Sequence, residues 1–256
     1  MTRRRLYQFP HSHFSEKARW ALDYKGLPYE KVNLTRGPHI RTTRKLGAPD
    51  TTVPILVEPT GEVIQDSTTI IDHLEASYPE RPSLEPPDSD ERTDARDLEE
   101  LFDDRLGFHS RRFAYATLID QPDVLAHMFL QGKGPLLRLA FPLIYRVMRP
   151  RMMKRLRLGP GAADESEAEL FGVLDTIDER LSQREYLVGE RFSRADLTGA
   201  ALLGLMTWPP EHEFEFPPPT MLPRRLARFL DSIRSRPSFA WSLRMYARHR
   251  RTAAAR

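Results

Sequence analysis

Periodicity changes once along this chain, and that change constrains the fold more than any other feature. Residues 4–78 alternate strand-like and helix-like pieces, and after residue 93 no convincing strand recurs. Arg4–Phe9 reads as a strand. Phe14–Lys25 reads as a helix with Phe14, Ala18, Ala21 and Leu22 on one face, stopped by Gly26. "YEKVNL" alternates as a second strand, and His39–Leu46 is weakly helical. "VPILVE" and "EVIQ" flank a "TGE" turn suited to a hairpin, and "DSTTIIDHLEASY" is a helix capped by Asp66 or Ser67. The predicted order is β-α-β-α-β-β-α. Residues 79–91, rich in proline and acids, read as a linker. Beyond it Asp94–Phe113, Pro122–Gln131, Ala163–Leu181, Ala195–Thr207 and Leu222–Arg234 read as helices, with 214–220 as a loop. The predicted architecture is an α/β domain over 1–79, a linker over 80–93 and an all-helical domain over 94–256.

Composition narrows the chemistry. A chain of 256 residues is long enough to bury a sizeable core. It has no cysteine, which excludes disulfides, thiolate metal sites and a nucleophile made of the protein's own thiol. The eight histidines show no ligand spacing, so no metal is expected. A net charge of +3 is a mild bias, and no nucleic-acid-binding module accompanies it. No run approaches the roughly 20 apolar residues of a membrane span. The apolar run after MTRRR is too short for a signal peptide, so a cytoplasmic location is expected.

Two stretches carry lopsided charge. Glu85–Asp104 is acidic apart from Arg92 and Arg96, which suits a solvated helix entry favoured by the dipole. Residues 133–160 carry eight Lys and Arg side chains and no acid, interleaved with apolar residues. The plainer expectation is a basic helix packed on the rest of its domain, with arginine stems lying along it. The alternative is contact with a membrane surface or an acidic partner.

Three short motifs carry the functional reading. In "PHSHFS" the hydroxyls of Ser12 and Ser15 lie at the first turn of a helix, where unpaired N–H groups and the dipole favour an anion. A hydroxyl without a base is a poor nucleophile but a good donor to another molecule's thiolate. The S-x-x-S spacing sits where a thioredoxin-type fold carries C-x-x-C. In "TTVPIL" the Val53-Pro54 bond opens a strand just after a loop, the place of that fold's cis-proline, and would turn backbone groups outward to pair with an extended peptide. In "IQDST" a strand ends and a helix begins with Asp66 and Ser67 at the cap, a ready site for a carboxylate.

With these motifs in order, the chain resembles the cytosolic glutathione transferases over nearly its full length. The segment "YLVGERFSRADLTGAAL" matches that family's capping motif, with Ser193 and Asp196 as an S-x-x-D box and Phe192 and Leu197 as a staple. The resemblance implies a thioredoxin-like domain followed by a helical bundle, with glutathione as co-substrate and no metal. It implies that Val53 and Pro54 present backbone to the cysteinyl part and that Asp66 and Ser67 hold the γ-glutamyl end. Ser12 would then donate to the sulfur as the catalytic residue. His39 and Lys45, with Arg41 nearby, are candidates for the glycyl carboxylate. A small electrophile would be the second substrate, in a pocket between the domains walled by Phe108, Phe113, Tyr115 and Trp208. A homodimer is also implied. His11, His13 and Ser15 remain alternative partners for the thiol. The tyrosine other branches use falls at Gln8, and Tyr7, one residue off, is expected to face the opposite side of the sheet. The stretch before Val53 lacks the family's common glycine near Thr51, so its loop is expected to differ. A noncatalytic binding or scaffold protein on the same fold, using residues 133–160, is the alternative function.

Overall fold

The computed structural model describes residues 3–250. β1 (Arg5–Gln8) leads into α1 (His13–Tyr24), β2 (Glu30–Asn33) pairs parallel to β1, and α2 (His39–Lys45) follows. β3 (Ile55–Val57) and β4 (Val63–Gln65) form the hairpin, and α3 (Ser67–Ser77) closes the unit. Strand order is β2-β1-β3-β4, with β1 and β3 antiparallel. Side-chain alternation sorts this mixed sheet into two faces. Leu6, Leu56 and Ile64 join the main core with Ala18 of α1 and Ile70 and Ile71 of α3. Tyr7, Ile55 and Val57 point the other way, into a smaller cluster with Val32, Leu34 and Leu46.

The rest is helical. α4 (Ser89–Leu101) begins before the predicted Asp94 because the Asp88 carboxylate caps it, accepting from the N–H groups of Asp90 and Glu91. A π-helical turn, Phe102–Gly107, carries it into α5 (Phe108–Leu118). α6 (Pro122–Phe129), α7 (Pro135–Arg155), α8 (Ala162–Leu181), α9 (Arg194–Thr207), α10 (Arg224–Ile233) and α11 (Pro237–His249) follow. α11 was not among the predicted helices, and α7 was expected only as a packed basic helix somewhere within 133–160. α7 runs through Pro142 and Pro150, residues that ordinarily end a helix. Only one of its faces packs: Phe141 and Met152 are buried, while Leu136 and Leu139 stand in solvent. The expected packed basic helix therefore holds for half of its circumference.

α9 is the buried spine of the helical part, with every residue but Leu205 buried. Its start is the predicted capping box. Asp196 accepts from the Ser193 N–H (3.0 Å), the Ser193 hydroxyl (2.9 Å) and the Leu187 N–H (2.8 Å). Phe192 and Leu197 are both buried, as a staple requires. Gly199 lets α9 approach its neighbours: a Cβ there would lie 3.0 Å from Trp241 and 3.1 Å from Phe102.

Buried ion pairs join the two halves. Lys17 of α1, fully buried, lies 2.8 Å from Glu99 and 2.6 Å from Asp103, and also donates to Thr68 of α3. Arg194 pairs with Glu99 and with Glu85. Arg250 reaches back to Glu16 and Asp23 of α1 at 2.6 Å each, and the Trp20 indole donates to the His249 carbonyl. The acidic stretch 85–104 is thus not only a solvated helix entry. Burial pushes the Glu99 carboxyl up, but Lys17 and Arg194 more than offset it and hold it below the usual range. Asp103 stays above that range because burial outweighs the pull of Lys17.

Candidate functional site

The β1–α1 turn sits where the two halves meet. Ser12 is extended (φ −89°, ψ 120°) and caps α1, its Oγ accepting from the Ser15 N–H at 3.3 Å. That bond uses an oxygen lone pair and leaves the Ser12 O–H free to donate. Ser12 is half-buried, whereas the Ser15 hydroxyl is fully buried and has no hydrogen-bond partner.

The flanking histidines are neutral packing groups. Burial, followed by the charges of Arg36 and Arg19, pushes His11 well below its ordinary value. Its Nε2 accepts from Arg36 Nε at 3.1 Å, so Nδ1 holds the proton. The ring lies parallel to Phe9 and against Phe129. His13 is pushed down to about 3 by burial and then by Arg111. Its Nε2 lies 3.0 Å from the Gly107 carbonyl, which can only accept, so Nε2 carries the hydrogen. Gly107 also makes room for the start of α1: a Cβ would come within 2.6 Å of the Phe14 ring. Neither histidine supplies a cation or a proton to the turn near neutral pH.

The second and third motifs lie on β3 and α3. The Val53–Pro54 bond is cis, as the sequence suggested. Among the described residues the backbone N–H and C=O of Val53 have no partner, while the Pro54 carbonyl accepts from Asp66 N–H at 3.2 Å. Asp66 adopts φ 84° and caps α3, its Oδ1 accepting from the N–H groups of Thr68 (2.9 Å) and Thr69 (3.1 Å). Its own carboxylate therefore occupies part of the helix N-terminus expected to receive a ligand's. What remains is the Ser67 hydroxyl, fully buried and without a partner, and the second Asp66 oxygen. Gln65 fastens the preceding loop by donating to the carbonyls of Asp50 and Thr52, which shapes that loop without a glycine near Thr51.

α2 does not bring His39 and Lys45 together. They lie at its two ends; Lys45 and Arg41 are exposed, while His39 packs edge-on against Phe9 and accepts from the Gly37 N–H through Nδ1. Tyr7 is buried in the cluster on the α2 face, and Gln8 is engaged with Asn33 and Arg19.

A cavity of about 230 Å³ opens beside the turn. Phe9 and His11 meet Arg36 there, with Met128, Phe129 and Lys133 opposite. Arg36 donates to the Tyr115 hydroxyl at 3.0 Å and lies over the rings of Phe9 (4.8 Å) and Phe129 (5.1 Å). Of the four expected wall aromatics, Tyr115 alone reaches this group through Arg36. Phe113 packs on Phe229 in the helical core, Phe108 lies edge-on to His109, and Trp208 stacks on Phe216. Arg36 and Phe129 went unpredicted because one sits in a loop and the other on a short helix, with no local pattern marking either. Among the described residues no cluster of side chains suits a metal ion, and no helix is long and apolar enough to cross a membrane.

Residues 6–82 match the model of the glutathione S-transferase N-terminal domain, and residues 142–237 that of its C-terminal domain. The chain is 26% identical over 245 residues to glutathione S-transferase TCHQD of Arabidopsis thaliana, covering 91% of this chain and 87% of that protein. It is 27% identical over 211 residues to FtsZ-localized protein A of Caulobacter vibrioides, covering 80% and 78%. Among solved structures it is similar to the beta-etherase LigF from Sphingobium sp. strain SYK-6, with 25% identity, a TM-score of 0.60, and coverage of 95% of this chain and 99% of that one.

Proposed function

The chain belongs to the glutathione S-transferase family, and from that premise we propose that it binds glutathione and presents its thiolate, steadied by Ser12, to a small electrophile. The observation that carries this reading is the pair of unspent groups at the start of α3. The fully buried Ser67 hydroxyl has no partner, and Asp66 keeps one carboxylate oxygen free of the cap. A γ-glutamyl end offers a carboxylate for the first and an ammonium for the second. The unpaired backbone groups of Val53 suit the peptide that follows, and Ser12 sits at the dipole end of α1.

The energetics agree in size. A thiol of pKa about 8.5 needs nearly 3 kcal/mol of preferential thiolate stabilisation to fall by two units. A hydrogen bond to a charged group contributes about 1.5–3 kcal/mol. A helix N-terminus adds about 0.3–1 kcal/mol. With His11 and His13 neutral, these are the terms the turn itself supplies. Calorimetry with glutathione, followed by thiolate absorbance of the complex, tests binding. Conjugation assays of Ser12→Ala are expected to show at least about a tenfold loss. Unchanged activity would refute the role of Ser12.

A noncatalytic binding protein on the same fold is the second reading, favoured by the likeness to FtsZ-localized protein A and by the solvent-facing side of α7. Failure to bind millimolar glutathione would select it. The homodimer implied by the resemblance belongs to the proposal and is read by sedimentation velocity.

A further inference from the structure

Among the described residues, the large apolar side chains that stand exposed are all on one helix. Leu136 and Leu139 are each 82% exposed, Leu143 74%, Val147 55% and Ile144 38%. On α7 they recur every third or fourth residue, so at 3.6 residues per turn Leu136, Leu139, Leu143 and Val147 form one stripe along the axis. The helix is 21 residues long, which makes the stripe part of a rod about 30 Å in length.

The opposite face accounts for why the helix is held there at all. Phe141 and Met152 are buried, Tyr145 and Met148 pack against the core, and the Tyr145 hydroxyl donates to the Ile119 carbonyl. Arg149 pairs with Asp120 at 2.7 Å. The exposed stripe is thus not an unpacked core face: α7 has one face for the protein and a second for something else.

Charge says what that something is. No acid occurs between residues 133 and 160. Arg146 and Arg151 lie on either side of the stripe and Lys154 continues its line, all three exposed and without an acid partner among the described residues. Two copies meeting through this face with their helices parallel would bring basic residue against basic residue, and antiparallel copies would find no acid on α7 to pair with those cations. A convex apolar ridge with cations on both flanks also needs no groove to receive it. These properties match a helix lying in the plane of a bilayer interface, its apolar side at the acyl boundary and its cations among phosphates.

We propose that α7 docks the protein on an anionic lipid surface, with Leu136, Leu139, Leu143 and Val147 entering the interface and Arg146, Arg151 and Lys154 engaging the headgroups. The inference is independent of the glutathione reading.

Co-sedimentation of the full chain with vesicles tests it, comparing pure phosphatidylcholine with phosphatidylcholine containing about one-third phosphatidylglycerol. The protein is expected to partition onto the anionic vesicles and to be released by salt. Two double variants, Leu139→Ser with Leu143→Ser and Arg146→Gln with Arg151→Gln, are each expected to lose at least about tenfold in partitioning. All four side chains are exposed, so the variants should melt with the wild type by circular dichroism. Failure to bind anionic vesicles, or binding that either variant keeps, overturns the proposal. So does a dimer that the leucine variant dissociates, or binding of poly-glutamate without binding of vesicles.

Discussion

Replacing His13 by Gln should flatten the acid lability of this protein by a definite amount. His13 is 2% exposed, donates to Gly107 and is held down to about 3 by burial and Arg111. In the unfolded chain a histidine titrates near 6.5. Its folded value is therefore depressed: the native state refuses a proton that the unfolded state takes. The associated stability is fully present above 6.5 and is lost as pH falls toward 3. Between pH 7 and pH 5 the unfolded histidine gains most of one proton while the native one gains almost none. By linkage this removes about 2 kcal/mol from the stability. Glutamine retains a donor for the Gly107 carbonyl but cannot titrate. Urea unfolding at pH 7 and pH 5 should show a drop about 2 kcal/mol smaller in His13→Gln than in the wild type. The difference, not the absolute slope, is the test, because other groups move too. His212, pushed down to about 4 by burial, adds to the loss. Asp196, pushed up to about 7 by burial, opposes it, since it takes up its proton in the native state first. Both are common to the two proteins. Parallel pH dependences in wild type and variant would mean that His13 protonates in place, and that the neutral lining assigned to the turn is wrong.

Two further substitutions probe packing, one between the two halves and one within the helical part. Lys17→Met strands Asp103 and removes one of two cations from Glu99, and should cost about 3–5 kcal/mol in urea unfolding. Adding Asp103→Leu should recover part of that cost, and a double variant no better than the single would refute the pairing. Gly199→Ala places a methyl 3.0 Å from Trp241 and 3.1 Å from Phe102, both fully buried, and should cost about 1–3 kcal/mol, read as a lower Tm. A neutral result would show that α9 does not approach those rings so closely.

The strands and the helices of the first 78 residues were legible because each carries its own punctuation. Gly26 stops α1, the "TGE" turn joins β3 to β4, and Asp66 caps α3. α11 was not legible, and α7 was legible only as a basic helix without bounds, for different reasons. α11 follows α10 after a short break, and "SRPSFAW" offers no cap residue, only a proline at the first turn. α7 contains two prolines that by local rules forbid it. It persists because Phe141, Tyr145, Met148 and Met152 line up on the inner face, and packing of one face outweighs the lost backbone bonds.

At the site the same distinction separates what the sequence reveals from what it hides. Ser12, Val53, Pro54, Asp66 and Ser67 could be named as candidates because the place of each is set by the backbone geometry of its own segment, which local residue choice dictates. His39 and Lys45 sit on one short helix, yet nothing in their spacing says which faces the turn; the answer depends on Phe9 of another element. Arg36 is further from legibility. It fills the space between His11, Tyr115 and Phe129, residues from the α1 turn, α5 and α6, which only the tertiary fold assembles. The electrostatics follow the same rule. A histidine on each side of Ser12 reads as a pair of possible proton carriers, and the structure makes them neutral because both are buried and because Arg36 and Arg111 come from elsewhere in the chain to sit beside them. A thiolate held at this turn would then gain from fixed cations and the dipole of α1 rather than from a titrating neighbour. Its stabilisation would stay level across the range where free histidines change charge, and a thiolate population rising at pH 6 with a histidine's profile would contradict that arrangement.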